Sequence, residues 1–132
     1  MFSPMLVARV VSLYNPGPID YTRRDCARFA AGVVNELTGI NYLEGFCYEN
    51  EQEAEAAYKE FGGLSAAVTH AMRRDPLPAF ELTPGAVVLW SVGGVDGLGI
   101  ALDRTAKRSA VLADPGMIRE LPRRFIKHGW NI

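Results

Sequence analysis

Arg24-Asp25-Cys26-Ala27-Arg28-Phe29-Ala30-Ala31-Gly32-Val33-Val34-Asn35-Glu36-Leu37-Thr38-Gly39 is the stretch that decides the fold. Cys26, Phe29, Ala30, Val33, Val34 and Leu37 recur at the i, i+3, i+4, i+7 spacing of one helix face. Thr22 followed by Asp25 fits a capping box with aspartate in the glutamate position. Gly39 stands where a left-handed C-terminal cap belongs. The expectation is an amphipathic helix with an inward-facing cysteine in its first turn. A thiol there meets unsatisfied N–H groups and the positive end of the helix dipole. Both lower its pKa below the free value of about 8.5. Cys26 is therefore the candidate nucleophile, and the rest of the chain must supply its partners.

Working outward, Asn15-Pro16-Gly17-Pro18 breaks the chain before this helix. Met5 to Tyr14 is apolar at a spacing that fits a short helix or a strand, so residues 1–19 read as an N-terminal extension of open structure. Met1 to Val11 is too short to span a membrane and lacks the basic region and cleavage site of a signal peptide. On the other side, Ile40 to Tyr48 reads as an aromatic loop over the helix end. Asn50 caps a second helix, Glu51 to Phe61, with Glu53 at the capping-box position and a stripe of Ala54, Ala57, Tyr58 and Phe61. A third helix runs from Ser65 to about Arg74 and stops at Asp75-Pro76.

The second half alternates short apolar runs with turns. Ala86 to Trp90, Leu98 to Leu102, Ser109 to Ala113, Met117 to Leu121 and Phe125 to Ile132 read as strands. Gly93 to Gly97 reads as a loop, and Pro115-Gly116 as a hairpin turn. Helices followed by an antiparallel meander make an α+β fold, about three helices on a small sheet, in one domain spanning residues 1–132.

Composition narrows the function. The 132 residues carry a net charge of -1, with 48% hydrophobic residues, so nothing electrostatic points to nucleic acid. Cys26 and Cys47 read as two reduced thiols, with Cys47 expected in the core between Phe46 and Tyr48. Cys26, Cys47, His70 and His128 lack ligand spacing, so neither a metal nor another cofactor is expected. Gly93 to Gly99 joins strand to strand and does not open a helix, unlike a phosphate-binding loop. Arg23-Arg24, Arg73-Arg74 and Arg123-Arg124, set against the acidic run Glu44 to Glu60, leave two readings open: solvated charge, or a docking surface with separate acidic and basic faces.

The order of several pieces resembles the NlpC/P60 cell-wall peptidases, a papain-like superfamily, and within it a group of phage and prophage proteins encoded among tail genes. The pieces are Arg24-Asp25-Cys26, Leu37-Thr38-Gly39, Gly62-Gly63-Leu64, Pro84-Gly85-Ala86-Val87-Val88, Gly97-Leu98-Gly99-Ile100-Ala101-Leu102 and Trp130-Asn131-Ile132. The resemblance implies a cysteine nucleophile at Cys26, a base histidine two residues before Gly99, and an orienting residue around Val111-Leu112-Ala113. Here the base position is Gly97, the orienting segment is apolar, and Ala86 replaces the aspartate common after Pro-Gly. Only His128 and His70 remain as substitute bases, and each reads more simply as a histidine without a catalytic part.

The resemblance thus implies a catalytically degenerate, non-enzymatic component of a phage tail hub or tip. It would be made in the host cytoplasm and carried in the virion beside other tail proteins (hub, distal tail, tip), within a ring of three-fold symmetry. Two alternatives stay open. One is an active cysteine hydrolase opening the cell wall during DNA entry, with Cys26 as nucleophile. The other is an assembly or ligand-binding module without chemistry.

Overall fold

A computed structural model describes residues 1–14, 20, 25–113 and 116–132. The Asn15–Pro18 break, Thr22, Arg23-Arg24 and Pro115 lie outside the described residues. Helix α1 spans Pro4–Ser12, α2 Cys26–Thr38, α3 Glu51–Lys59 and α4 Leu64–Met72. The strands are β1 Val87–Val92, β2 Val95–Ala101, β3 Arg108–Ala113, β4 Met117–Pro122 and β5 Ile126–Trp130. Three short 3-10 turns, Ala79–Glu81, Arg104–Ala106 and Arg123–Phe125, complete the described elements.

The α+β class holds, with four helices among the described residues where three were expected. The extra helix is α1. Ser3 caps it by accepting a 3.1 Å bond from the Leu6 N–H, and Pro4 follows in the first turn, where its missing N–H costs nothing. Val7 and Val11 turn into the core, so the first segment is part of the domain.

The sheet order is β4-β3-β2-β1-β5, with every neighbouring pair antiparallel. β1 to β4 form the meander, and β5 returns to pair with β1. The Gly93 to Gly97 segment is not a loop throughout. Only Gly93 and Gly94 turn, with φ of 57° and 81°, the paired positive values of a tight hairpin that glycine alone adopts readily. Val92 pairs with Val95, which leaves Asp96 and Gly97 inside β2.

Alternate strand residues serve two cores. Val87, Leu89, Leu98, Ile100, Ala110, Leu112 and Trp130 pack with Phe29, Ala30, Val33 and Val34 of α2 and with Val7 and Val11 of α1. Ala86, Val88, Ala101 and Ile126 meet Ala79, Leu82 and Ala106, in and beside the 3-10 turns, on the other side. Helix α4 is stitched to β5 by two polar bonds. Trp130 Nε1 donates to Thr69 Oγ1 at 3.0 Å, and His128 Nε2 lies 2.7 Å from Ser65 Oγ. The C-terminus is held by Asn131: Oδ1 accepts from the Thr83 N–H at 2.8 Å, and Nδ2 donates to the Glu81 carbonyl at 3.0 Å.

Candidate functional site

Helix α2 begins one turn later than the capping-box reading places it. Asp25 is itself the N-cap, its carboxylate accepting from the Arg28 N–H at 2.8 Å. The extended backbone at Asp25 marks the boundary. Gly39 adopts the expected left-handed cap, with φ of 78°.

Asp25 is buried and belongs to a polar cluster at the helix head. Arg28 Nε lies 3.4 Å from the second Asp25 oxygen. The same guanidinium sits 4.6 Å over the Tyr48 ring and donates to the Tyr48 carbonyl at 3.3 Å. The Tyr48 and Tyr58 hydroxyl oxygens are 3.3 Å apart. Burial, followed by hydrogen bonding to Tyr58, drives the Tyr48 phenol far above its ordinary range, and the Asp25 charge adds to the rise. Burial also pushes Tyr58 up to about 12, against its hydrogen bond with Tyr48. Both phenols therefore stay neutral, Tyr58 donating to the Tyr48 hydroxyl, while the Arg28 guanidinium supplies the charge that faces the buried Asp25 carboxylate.

Cys26 occupies the first helical position beside this cluster, half-buried against the larger core. Its thiol is pushed up to about 11, chiefly by desolvation, with the Asp25 charge adding to the rise and backbone hydrogen bonds, the largest at Leu98, opposing it. This reverses the expectation of a lowered pKa. The helix dipole does favour a thiolate, but the apolar wall and the adjacent carboxylate outweigh it.

The surroundings of Cys26 follow from the register of β2. Leu98 and Ile100 face α2, whereas Gly97 pairs with Trp90 and looks to the other side. A Cβ on Gly97 would fall inside the Trp90 indole, with the ring carbons Cζ2 and Cε2 as its nearest neighbours. The indole is tied down by its Nε1, which donates to the Leu98 carbonyl at 3.1 Å. Leu112, in the orienting segment, is buried in the apolar core. An open groove of about 440 Å³ borders this end of the sheet, lined by Asp25, Cys26 and Trp90 and by apolar residues of β3 and β4.

The chain is matched from residue 4 to residue 132 by the model of a domain of unknown function, DUF6950. It belongs to this family. No curated protein and no solved structure matches it. The DUF6950 match begins at the first residue of α1, in keeping with the buried Val7 and Val11.

Neither histidine of this DUF6950 domain is brought to Cys26. His128 lies on β5 opposite Leu89 of β1, two strands from Leu98, which is roughly 10 Å at the usual strand spacing. Its Nε2 is engaged by Ser65 and its ring meets Trp130 edge-on at 5.2 Å. Desolvation, then the Lys127 charge, lower its pKa, with Asp96 opposing. His70 is exposed on α4 and stacks on Phe61 at 4.5 Å. Cys47 is exposed rather than buried, because its aromatic neighbours turn inward and leave it facing out. Among the described residues, no group of three or more His, Cys, Asp or Glu could hold a metal ion, and no helix is long and apolar enough to cross a membrane.

Sequence reasoning missed the Asp25-Arg28-Tyr48-Tyr58 cluster and the placement of Trp90. The i, i+3 spacing of Asp25 and Arg28 was a usable signal for the first. The pairing of a glycine with a tryptophan has no signature until the register is known.

Proposed function

We propose that this domain is a non-catalytic structural component that works by assembly with other proteins, its cysteine helix serving as a packing element. The observation that carries this reading is the setting of Cys26. A thiol pushed up to about 11 is protonated at neutral pH, and the positions the peptidase resemblance assigns to base and orienter hold Gly97 and Leu112. Nucleophilic catalysis needs a thiolate or an adjacent base to make one. The Trp90 indole also fills the space that a side chain at position 97 would need. On the NlpC/P60 resemblance, the assembly is the hub or tip of a phage tail, in the virion, with hub, distal-tail and tip proteins as partners in a symmetric ring.

The test compares hydrolysis of muropeptides by the wild type and by Cys26→Ser. The reading expects no turnover from either. Turnover by the wild type that disappears in Cys26→Ser would replace it with a cysteine hydrolase.

A further inference from the structure

The chain is nearly neutral overall, yet an acidic run and a group of cations lie on different sides of the sheet. On the helical side, Glu44, Glu49, Glu51, Glu53, Glu55 and Glu60 are all exposed with only Lys59 among them, and none makes an ion pair among the described residues. Glu44 and Glu60 border an open groove of about 840 Å³ between the 40–47 loop and α3 and α4, whose walls include Phe46, Phe61 and Met72 and whose lining also holds His70 and Arg73. On the opposite side, the 3-10 turns and their flanks carry Arg104, Lys107, Arg123 and Arg124, also without ion pairs among the described residues. Arg123 Nε donates to the Thr105 carbonyl at 2.8 Å, which ties two of these turns together. Phe80 projects from the Ala79–Glu81 turn, 69% exposed, with the Arg123 guanidinium 4.6 Å over its ring. Glu81 beside it is the one acid on that turn.

An exposed phenylalanine under a guanidinium is costly to leave in water and complements an aromatic groove in which the carboxylates of Glu44 and Glu60 outnumber the single guanidinium of Arg73. We propose that the two surfaces are halves of one interface between copies of this chain: Phe80 of one copy enters the Phe46–Phe61 groove of the next, and Arg123 and Arg124 meet Glu44 and Glu60. The halves lie on opposite layers, so the contact is head-to-tail. Such a contact builds a ring when its rotation closes and a filament when it does not. The inference deepens the assembly reading and rests on it, but it is tested on the purified chain alone, so its failure is distinguishable from detection of hydrolysis.

The experiment is analytical ultracentrifugation at about 0.05 M and about 0.5 M salt, across which the screening length falls from over 10 Å to a few ångströms. The wild type is expected to form oligomers larger than dimers at low salt, with association at least about tenfold weaker at high salt. Two double variants serve as probes, Glu44→Lys/Glu60→Lys and Arg123→Glu/Arg124→Glu, each checked for an unchanged thermal transition. Each alone is expected to be monomeric. Mixed, they pair only through the reversed charges, the lysines introduced on the groove rim being met by the glutamates introduced beside Phe80, and are expected to form complexes at low salt. A wild type that stays monomeric at low salt overturns the proposal, as do variants that associate as the wild type does, or a mixture that stays monomeric.

Discussion

Replacing Gly97 by alanine tests the packing that closes the base position. Gly97 is the registered partner of Trp90, and the added methyl would lie inside the indole ring. The ring cannot remain in place. Overpacking of this kind costs about 1–3 kcal/mol, and losing the Trp90 Nε1 bond to the Leu98 carbonyl adds about 1 kcal/mol. The expected total of about 2–4 kcal/mol lowers Tm by roughly 5–15 °C in a domain of this size. Equilibrium urea unfolding measures the cost directly. In a Trp90→Ala background the obstruction is gone, and Gly97→Ala should cost less than about 1 kcal/mol, a coupling that a double-mutant cycle reads. Gly97→Ala with wild-type stability, or with the same cost in both backgrounds, would refute the reasoning.

Other outcomes follow from the same geometry. Cys26 and Tyr58 titrate at about 11 and about 12 in the folded chain, above their ordinary values of 9.0 and 10.0. In that interval the unfolded chain has released protons that the folded chain keeps. Their contribution is therefore fully present below about pH 9 and is lost as pH rises to about 12, at about 1.4 kcal/mol per pH unit for each group. Urea unfolding of Cys26→Ala against pH should show a shallower decline between about pH 9 and about pH 11. His128 has a lowered pKa, so the unfolded chain takes up its proton first on acidification and stability falls as pH drops through the ordinary histidine value of 6.5. That acid-side loss should shrink in His128→Gln. Ser109 is fully buried and its hydroxyl has no hydrogen-bond partner among the described residues. Ser109→Ala should leave thermal stability unchanged or raise it by up to about 1 kcal/mol.

Much of the fold was legible because single periodicities dominate. Phe29, Ala30, Val33 and Val34 all turn inward as the α2 stripe requires, and Gly39 closes the helix as expected. Asn50 accepts from the Glu53 N–H at 2.8 Å, while the Glu53 carboxylate reaches the Glu49 N–H rather than that of the cap residue. The helix itself ends at Lys59, and Phe61 lies on the surface against Phe46 and His70 instead of in a buried stripe. Helix α1 was ambiguous because nine residues hold too few turns to separate helix from strand by spacing. The Ser3-Pro4 cap pair was the better signal.

The candidate site was less legible than the scaffold. Position within α2 gave Cys26 its dipole but not its desolvation, which depends on the core that the distant strands bring against the helix. The same holds for Tyr48 and Tyr58, which read as aromatic filler until they are seen beside Asp25. The face on which Gly97 lies depends on a strand register in which a one-residue slip exchanges the two sides of the sheet.

The most direct test of a packed rather than reactive Cys26 is the pH dependence of its alkylation. The two thiols would be followed separately by peptide mapping, with exposed Cys47 as the internal reference. The Cys26 rate is expected to keep rising with pH towards about 11. At neutral pH it should lag an ordinary thiol by about a hundredfold or more, as the smaller thiolate fraction requires. A Cys26 rate that equals or exceeds that of Cys47 at about pH 7, and has already levelled off there, would contradict it.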